Sequence, residues 1–311
     1  MRVFVAGATG AIGRPLVPRL VEAGHEVVGM TRSPERAESL RAAGAEPAVC
    51  DALDAEAVRA AVAEARPDVL VHQLTDLPQE FSVRYRYGQT GPLRGEGTRN
   101  LIEAGLAAGA RRLVAQSIAF LYRPEGGPVK DEDAPTLTPD DARGHFAETI
   151  RGTLELERLT TATEGLDGLV LRYGFFYGPG TWYARGTGLA REFERRRFPV
   201  IGDGGGVFPF VHVDDAASAT VAAVERGAPG IYNVVDDEPA PAREWVPAFA
   251  EALGAKPPRR VPAWLARLVA GRTNATMATT MRGASNAKAR RELGWEPRYP
   301  SWRQGFREGI G

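Results

Sequence analysis

A glycine turn between a short apolar run and an amphipathic stretch constrains this chain more than any other feature. Arg2-Val3-Phe4-Val5-Ala6 leads into Gly7-Ala8-Thr9-Gly10-Ala11-Ile12-Gly13, and a helical pattern follows to Ala23. Bare amides at a helix start, reinforced by the positive end of its dipole, cradle a pyrophosphate, and glycines let the phosphates approach the backbone. Strand, glycine turn and helix in that order predict a dinucleotide-binding unit. The spacing is G-x-x-G-x-x-G rather than the commoner G-x-G-x-x-G.

Similar units recur. Apolar runs near 2–6, 26–30, 46–50, 68–72, 111–117 and 168–173 alternate with helical patterns near 11–23, 34–43, 54–65, 93–108 and 142–163. Such alternation predicts an α/β, Rossmann-type doubly wound parallel sheet covered on both faces. After Tyr177-Gly178-Pro179-Gly180 the rhythm breaks, and a basic stretch from Arg191 to Arg197 leads to Gly202-Asp203-Gly204-Gly205-Gly206, where a smaller C-terminal substrate domain is expected to begin. The run 208–213, the stretch 214–226 and the run 231–235 again read as strand, helix, strand. Helical patterns at 243–253, 263–270 and 285–295 complete the tail.

With 39 basic and 39 acidic side chains in 311 residues there is no global field to attract nucleic acid or an anionic membrane surface, which leaves a small-molecule substrate as the expected partner. No apolar run reaches the roughly 18 residues a membrane span needs, and the chain is read as cytoplasmic. The single cysteine, Cys50, ends an apolar run and reads as packing rather than as a nucleophile. Four scattered histidines lack ligand spacing, so no metal site is expected.

The glycine turn, the stretch Leu171-Arg172-Tyr173-Gly174-Phe175-Phe176-Tyr177-Gly178-Pro179-Gly180 and the string His212-Val213-Asp214-Asp215 resemble the extended short-chain dehydrogenase/reductase superfamily, in its NAD(P)-dependent epimerase/dehydratase group. The resemblance implies interleaved domains: 1–178 plus about 207–236 for the dinucleotide, and about 179–206 plus 237–311 for the substrate. A homodimer is one assembly open to such a chain.

Cofactor contacts are expected from Gly7, Thr9, Gly10, Ile12 and Gly13. The second strand ends in Thr31-Arg32-Ser33 without the carboxylate that would bind a ribose 2′-hydroxyl, and the Arg32 fork suits a 2′-phosphate. NADP is therefore expected ahead of NAD. The resemblance places Asp51 and Leu53 by the adenine and Leu74 and Thr75 along the nicotinamide wall, with Tyr173 near the reacting carbon. Asp54 and Asp214 read as helix caps, and His72 as a backbone anchor at a strand end.

The family's catalytic pair is missing. Its members carry a tyrosine and, four residues later, a lysine whose ammonium lowers the phenol's pKa so that it relays a proton. Counting back from Arg172 by the family spacing puts the helix glutamate at Glu155, the lysine at Arg151 and the tyrosine at Ala147. No register restores the pair, and Arg94 stands where an asparagine is expected. Arg151 reads as a cofactor and active-site cation. Ser117, Tyr122 and Tyr173, with His145 and Glu148 nearby, are the candidate replacements for the proton donor.

These features predict an NADP-dependent oxidoreductase acting on a small carbonyl, alcohol or sugar-like metabolite with a non-standard proton donor. The alternatives are an NADP-binding redox sensor and a non-redox cyclase or dehydratase using the same cleft. The aromatic run Phe175, Phe176, Trp182 and Tyr183 either lines a substrate wall or seals the domain joint.

Overall fold

Alternate residues of the first strand pack into two different cores. Val3 and Val5 join Leu16, Val17 and Leu20 on one side, while Phe4 and Ala6 join Val58, Val62 and Leu101 on the other. A strand apolar on both faces is one that helices cover on both sides. The computed structural model describes residues 1–78, 80, 89–269 and 271–311, the side chains of 272–274 excepted.

In chain order the elements are β1 (Arg2–Ala6), α1 (Gly13–Glu22), β2 (Glu26–Thr31), α2 (Ala37–Ala42), β3 (Glu46–Val49), α3 (Ala55–Ala65), β4 (Val69–His72), α4 (Thr90–Ala108), β5 (Arg112–Ile118), β6 (Val129–Lys130), α5 (His145–Ala162), β7 (Asp167–Tyr173), β8 (Phe175–Tyr177), α6 (Gly188–Glu194), β9 (Val200–Ile201), β10 (Val207–Phe208), β11 (Phe210–His212), α7 (Val213–Glu225) and β12 (Gly230–Val234). Seven of the strands form one sheet in the order β12-β7-β5-β4-β1-β2-β3, and every pairing is parallel. The Rossmann-type arrangement expected from the alternation is therefore present.

Beyond β8 a separate aromatic core collects Tyr183, Phe193, Trp245, Phe249, Trp302 and Phe306. Its edge-on rings, such as Phe193 against Phe249 with centroids 4.9 Å apart, favour that contact beyond simple area burial. The chain then returns to the main sheet, where β12 pairs with β7 and α7 packs beside α1. The run expected at 208–213 forms β11, which pairs with β8 rather than with the large sheet. A helix occupies Ala263–Val269, and Ala270 of the expected 263–270 stretch lies outside the described residues. Among the described residues no helix is long and apolar enough to cross a membrane.

Candidate active site

The strand order reverses between β1 and β4, the position at which open α/β sheets bind ligands beyond the strands' carboxyl ends. Three glycines serve that position for different reasons. Gly7 has φ +90, and a Cβ on it would meet the Gln73 carbonyl oxygen at 2.7 Å. A Cβ on Gly13 would meet the carbonyl oxygens of Gly7 and Ala8 at 2.3 and 2.4 Å, so α1 starts this close to the turn only without a side chain. Gly10 is different, since its Cβ would meet nothing nearer than the Gly7 oxygen at 3.2 Å.

Buried Ile12 fixes the turn from below, and Thr9 Oγ1 lies 3.4 Å from Thr31 Oγ1 at the end of β2. A backbone cradle with no side chain at Gly10 fits the pyrophosphate of a nicotinamide dinucleotide. Arg32, just beyond β2, meets Asp76 through a 3.5 Å contact between two half-exposed side chains. Asp51 accepts from the Leu53 amide at 3.0 Å, and Asp54 caps α3 by accepting from the amides of Glu56 and Ala57. Cys50 is half-buried, and burial pushes its thiol up to about 11, consistent with packing.

His72, fully buried at the end of β4, anchors backbone at both ring nitrogens. Its Nδ1 accepts from the Leu74 amide at 3.2 Å, and its Nε2 lies 3.3 Å from the Leu93 carbonyl. Burial holds the imidazole down at about 4, so it is neutral near pH 7. Leu74 and Thr75 follow directly at the mouth of the crevice, both half-buried.

The glutamate register expected on α5 is corrected by two residues. Glu155 lies on the outer face, paired with Arg99 at 2.5 Å and Arg158 at 2.9 Å, and these cations hold its carboxyl down at about 2, Arg158 foremost. It is Glu157 that turns inward and grips Arg172. Four and eight residues back, the same face carries Thr153 and Thr149, both buried. Thr153 and Thr149, not Arg151 and Ala147, therefore share the α5 face that carries Glu157.

Arg151 is exposed, beside Arg99, His145, Glu148 and Glu155 in a groove of about 450 Å³ between α4 and α5. His145 and Glu148 pair with each other at 3.2 Å on that outer rim. On the inner face, Thr153 Oγ1 donates to the Thr149 carbonyl at 2.7 Å and accepts from Arg94 Nη1 at 2.7 Å. Sequence reasoning missed this cluster, although Arg94 had stood out as a departure.

The candidate proton donors occupy buried networks. Ser117 Oγ donates to Glu157 Oε1 at 2.6 Å; Arg172 donates to the Tyr122 hydroxyl at 3.0 Å, which in turn donates to Asn233 Oδ1 at 2.7 Å. Ser117, Tyr122, Asn233, Glu157 and Arg172 are all at least nine-tenths buried. Burial raises the Tyr122 phenol's pKa against the pull of Arg172. Ser117 and Tyr122 thus brace β5, α5, β7 and β12 rather than present an acid to the crevice.

Tyr173 is likewise buried. Its hydroxyl bonds Thr220 of α7 at 2.7 Å and Gln73 at 3.1 Å, and burial pushes it up to about 12. Its phenol therefore ties β7 to α7 rather than standing in the crevice. Asp214 does not cap α7: His212 Nδ1 accepts the Asp214 amide at 3.1 Å, leaving the Asp214 carboxylate to pair with Arg19 at 3.0 Å.

The aromatic run divides. Tyr183 enters the second core against Trp245 and Phe249, and Phe176 packs on Tyr173. Phe175 stacks on Phe120 with centroids 4.3 Å apart, both half-buried just past the ends of β7 and β5. The Trp182 indole donates to the Pro78 carbonyl at 2.9 Å.

A parallel sheet with a glycine cradle at its switch point, flanked by a helix face two turns long, defines a nicotinamide-dinucleotide enzyme of the Rossmann type. The chain belongs to the NAD dependent epimerase/dehydratase family, which matches residues 3–234, and it is an NAD(P)-dependent oxidoreductase or epimerase. It is 52% identical over 314 residues to a 3-diazoavenalumate denitrifying reductase from a Streptomyces species, covering 98% of this chain and 99% of that protein. It is 30% identical over 313 residues to a UDP-glucose 4-epimerase of Mycolicibacterium smegmatis, covering 96% and 94%. Among solved structures, the Thermus thermophilus UDP-glucose 4-epimerase in complex with NAD is similar at a TM-score of 0.72 and 26% identity, over 100% of this chain and 98% of that one.

Proposed function

We propose that the protein is an NADP-dependent reductase that replaces the diazo group of an aromatic substrate with hydrogen and releases dinitrogen. The observation that carries this reading is the inner face of α5, where Thr149 and Thr153 lie on the Glu157 side and neither is an acid.

Reducing a carbonyl or epimerising an alcohol moves a proton as well as a hydride, and a group of suitable pKa must hold it. A diazonium carbon makes no such demand. When bound, the nicotinamide supplies a hydride, which forms the new C–H bond as the C–N bond breaks and its electron pair leaves with dinitrogen, so charge balances without a proton. The 52% identical relative is named for removing nitrogen from a diazo compound, which supports the same chemistry here.

The chain's own residues bind and orient. Gly7, Thr9, Gly10, Ile12 and Gly13 would hold the pyrophosphate, with Asp51 and Leu53 toward the adenine and Leu74 and Thr75 along the opposite wall. Arg32 favours NADP through a 2′-phosphate. The half-buried pair Phe120 and Phe175 offers an aromatic ring a flat partner at the crevice mouth, where the residue ranges 179–206 and 237–311 would close over it.

The test is turnover of NADPH with an arenediazonium that carries a ¹⁵N label. We expect NADPH loss, labelled dinitrogen and denitrified arene in equal amounts, with deuterium in the arene when the nucleotide is deuterated. Arg32→Ala should raise the Kd for NADPH toward that for NADH. Reduction of ketones with no diazo turnover would overturn the proposal.

A further inference from the structure

We propose that the helix Ala263–Val269, with the basic residues around it, is a docking surface for an anionic lipid bilayer. The inference goes beyond the reductase reading and stands whether or not that reading holds.

A surface helix ordinarily turns its apolar stripe inward and its polar side to water. This one does the reverse. Ala266 is its buried residue, while Trp264, Leu265, Leu268 and Val269 are exposed. At 3.6 residues per turn, Trp264, Leu268 and Leu265 share one continuous side away from Ala266, and Val269 ends it. Trp264 is 64% exposed, Leu268 76% and Val269 82%. Apolar side chains scattered singly on a surface need no explanation, but a contiguous group on one helix marks a contact surface.

The surrounding charge decides what fits. Between Glu251 and Glu292 the sequence has no acidic residue. Lys256, Arg259, Arg260 and Arg267 lie beside or on the helix and are exposed, and among the described residues none of the four meets a carboxylate. The strand Arg260–Val261 runs along β9, and Arg196 Nε donates to the Pro257 carbonyl at 3.0 Å, which brings Arg195 and Arg196, just past α6, to the same edge. The turn that Ala263 meets at Gly202 holds one carboxylate, Asp203, which accepts from the Gly205 amide.

Apolar anchors ringed by cations suit the boundary between lipid and water, where tryptophan and leucine enter the headgroup region and the cations meet phosphate outside it. A second copy of this chain fits less well, since a two-fold contact would set the same cations against one another. Screening confines such attraction to about 8 Å at physiological ionic strength, so the local excess counts rather than the chain's balance of 39 basic and 39 acidic side chains.

The test is cosedimentation of the full chain with vesicles of phosphatidylcholine alone and of phosphatidylcholine mixed equally with phosphatidylglycerol, with tryptophan emission recorded in both. We expect binding to the anionic vesicles only, a blue shift of the emission, and release as salt rises. Trp264→Ser/Leu268→Ser should bind at least about tenfold more weakly and lose the shift, and Arg259→Gln/Arg260→Gln/Arg267→Gln should also bind at least about tenfold more weakly, both with the wild-type melting temperature. Should the serine pair not fold, Leu268→Gln carries the apolar arm with a loss of about fivefold. No vesicle binding, equal binding to neutral and anionic vesicles, or binding that neither set of substitutions weakens would overturn the proposal. A dimer in sedimentation velocity that the serine pair dissolves, without vesicle binding, would overturn it in favour of a second copy.

Discussion

Arg172 and Glu157 form a two-pronged ion pair inside the protein, with Nε to Oε1 at 2.8 Å and Nη2 to Oε2 at 2.6 Å, and both side chains over nine-tenths buried. The pair joins β7 to the helix α5 that packs against it. Because it also accepts a hydrogen bond from Ser117 Oγ and orients Tyr122, it sets the rotation of α5 about its axis.

Removing one partner of such a pair leaves the other charge stranded. Glu157→Gln should cost about 3 kcal/mol of stability by urea unfolding. Ser117→Ala, which removes a single hydrogen bond to a charged group, should cost about 1.5 kcal/mol and leave nucleotide binding intact. Equal losses in the two variants would count against a network centred on the ion pair.

His72 gives the fold an acid limb. Its folded-state pKa of about 4 lies below the ordinary histidine value of 6.5, so the unfolded chain takes up its proton first as pH falls. The stability it contributes is present above pH 6.5 and is lost between 6.5 and about 4, in total about 3 kcal/mol. His72→Gln should start less stable at pH 7 and fall less steeply over that window, read from urea midpoints at successive pH values.

The fingerprint glycines should separate folding from binding. Gly13→Ala forces a Cβ to within 2.4 Å of two carbonyl oxygens, and large destabilisation is expected by thermal melting. Gly10→Ala meets a single oxygen at 3.2 Å, so it should fold with a melting temperature near that of the wild type and bind NADPH about tenfold more weakly. If Gly10→Ala binds NADPH normally, the phosphates do not approach at Gly10.

Much of this was legible in the sequence because it is local. Alternating apolar runs give the seven strands, a strand-final histidine anchors its neighbours, and Asp54 precedes a helix it caps. The rotation of α5 was not legible. Glu155 and Glu157 are two residues apart and therefore on different faces, and counting back from Arg172 fixes the face only if the length of the turn between α5 and β7 is known. A two-residue error there exchanged Arg151 for Thr153. Tyr173 and Tyr122 were misjudged for a related reason, since a strand's end says where a residue is but not which hydroxyl its phenol will find.

A reaction that transfers no proton through the protein should show it in its pH profile. With the diazonium substrate, kcat/KM is expected to change less than about threefold between about pH 6 and 8. Threonine hydroxyls do not ionise in that range. A bell-shaped profile would point to an acid or base that Thr149 and Thr153 cannot supply.

The strand β12 is drawn from the far side of the aromatic core, more than fifty residues after β7, yet it completes the sheet. During synthesis, therefore, the seven-stranded sheet cannot be finished when the residues through β7 have left the ribosome. Until residue 234 emerges, β7 presents an unpaired edge and Arg172 lacks the Tyr122–Asn233 bridge that completes its surroundings. Nascent chains arrested in that interval should be the most protease-sensitive and the most prone to associate with one another.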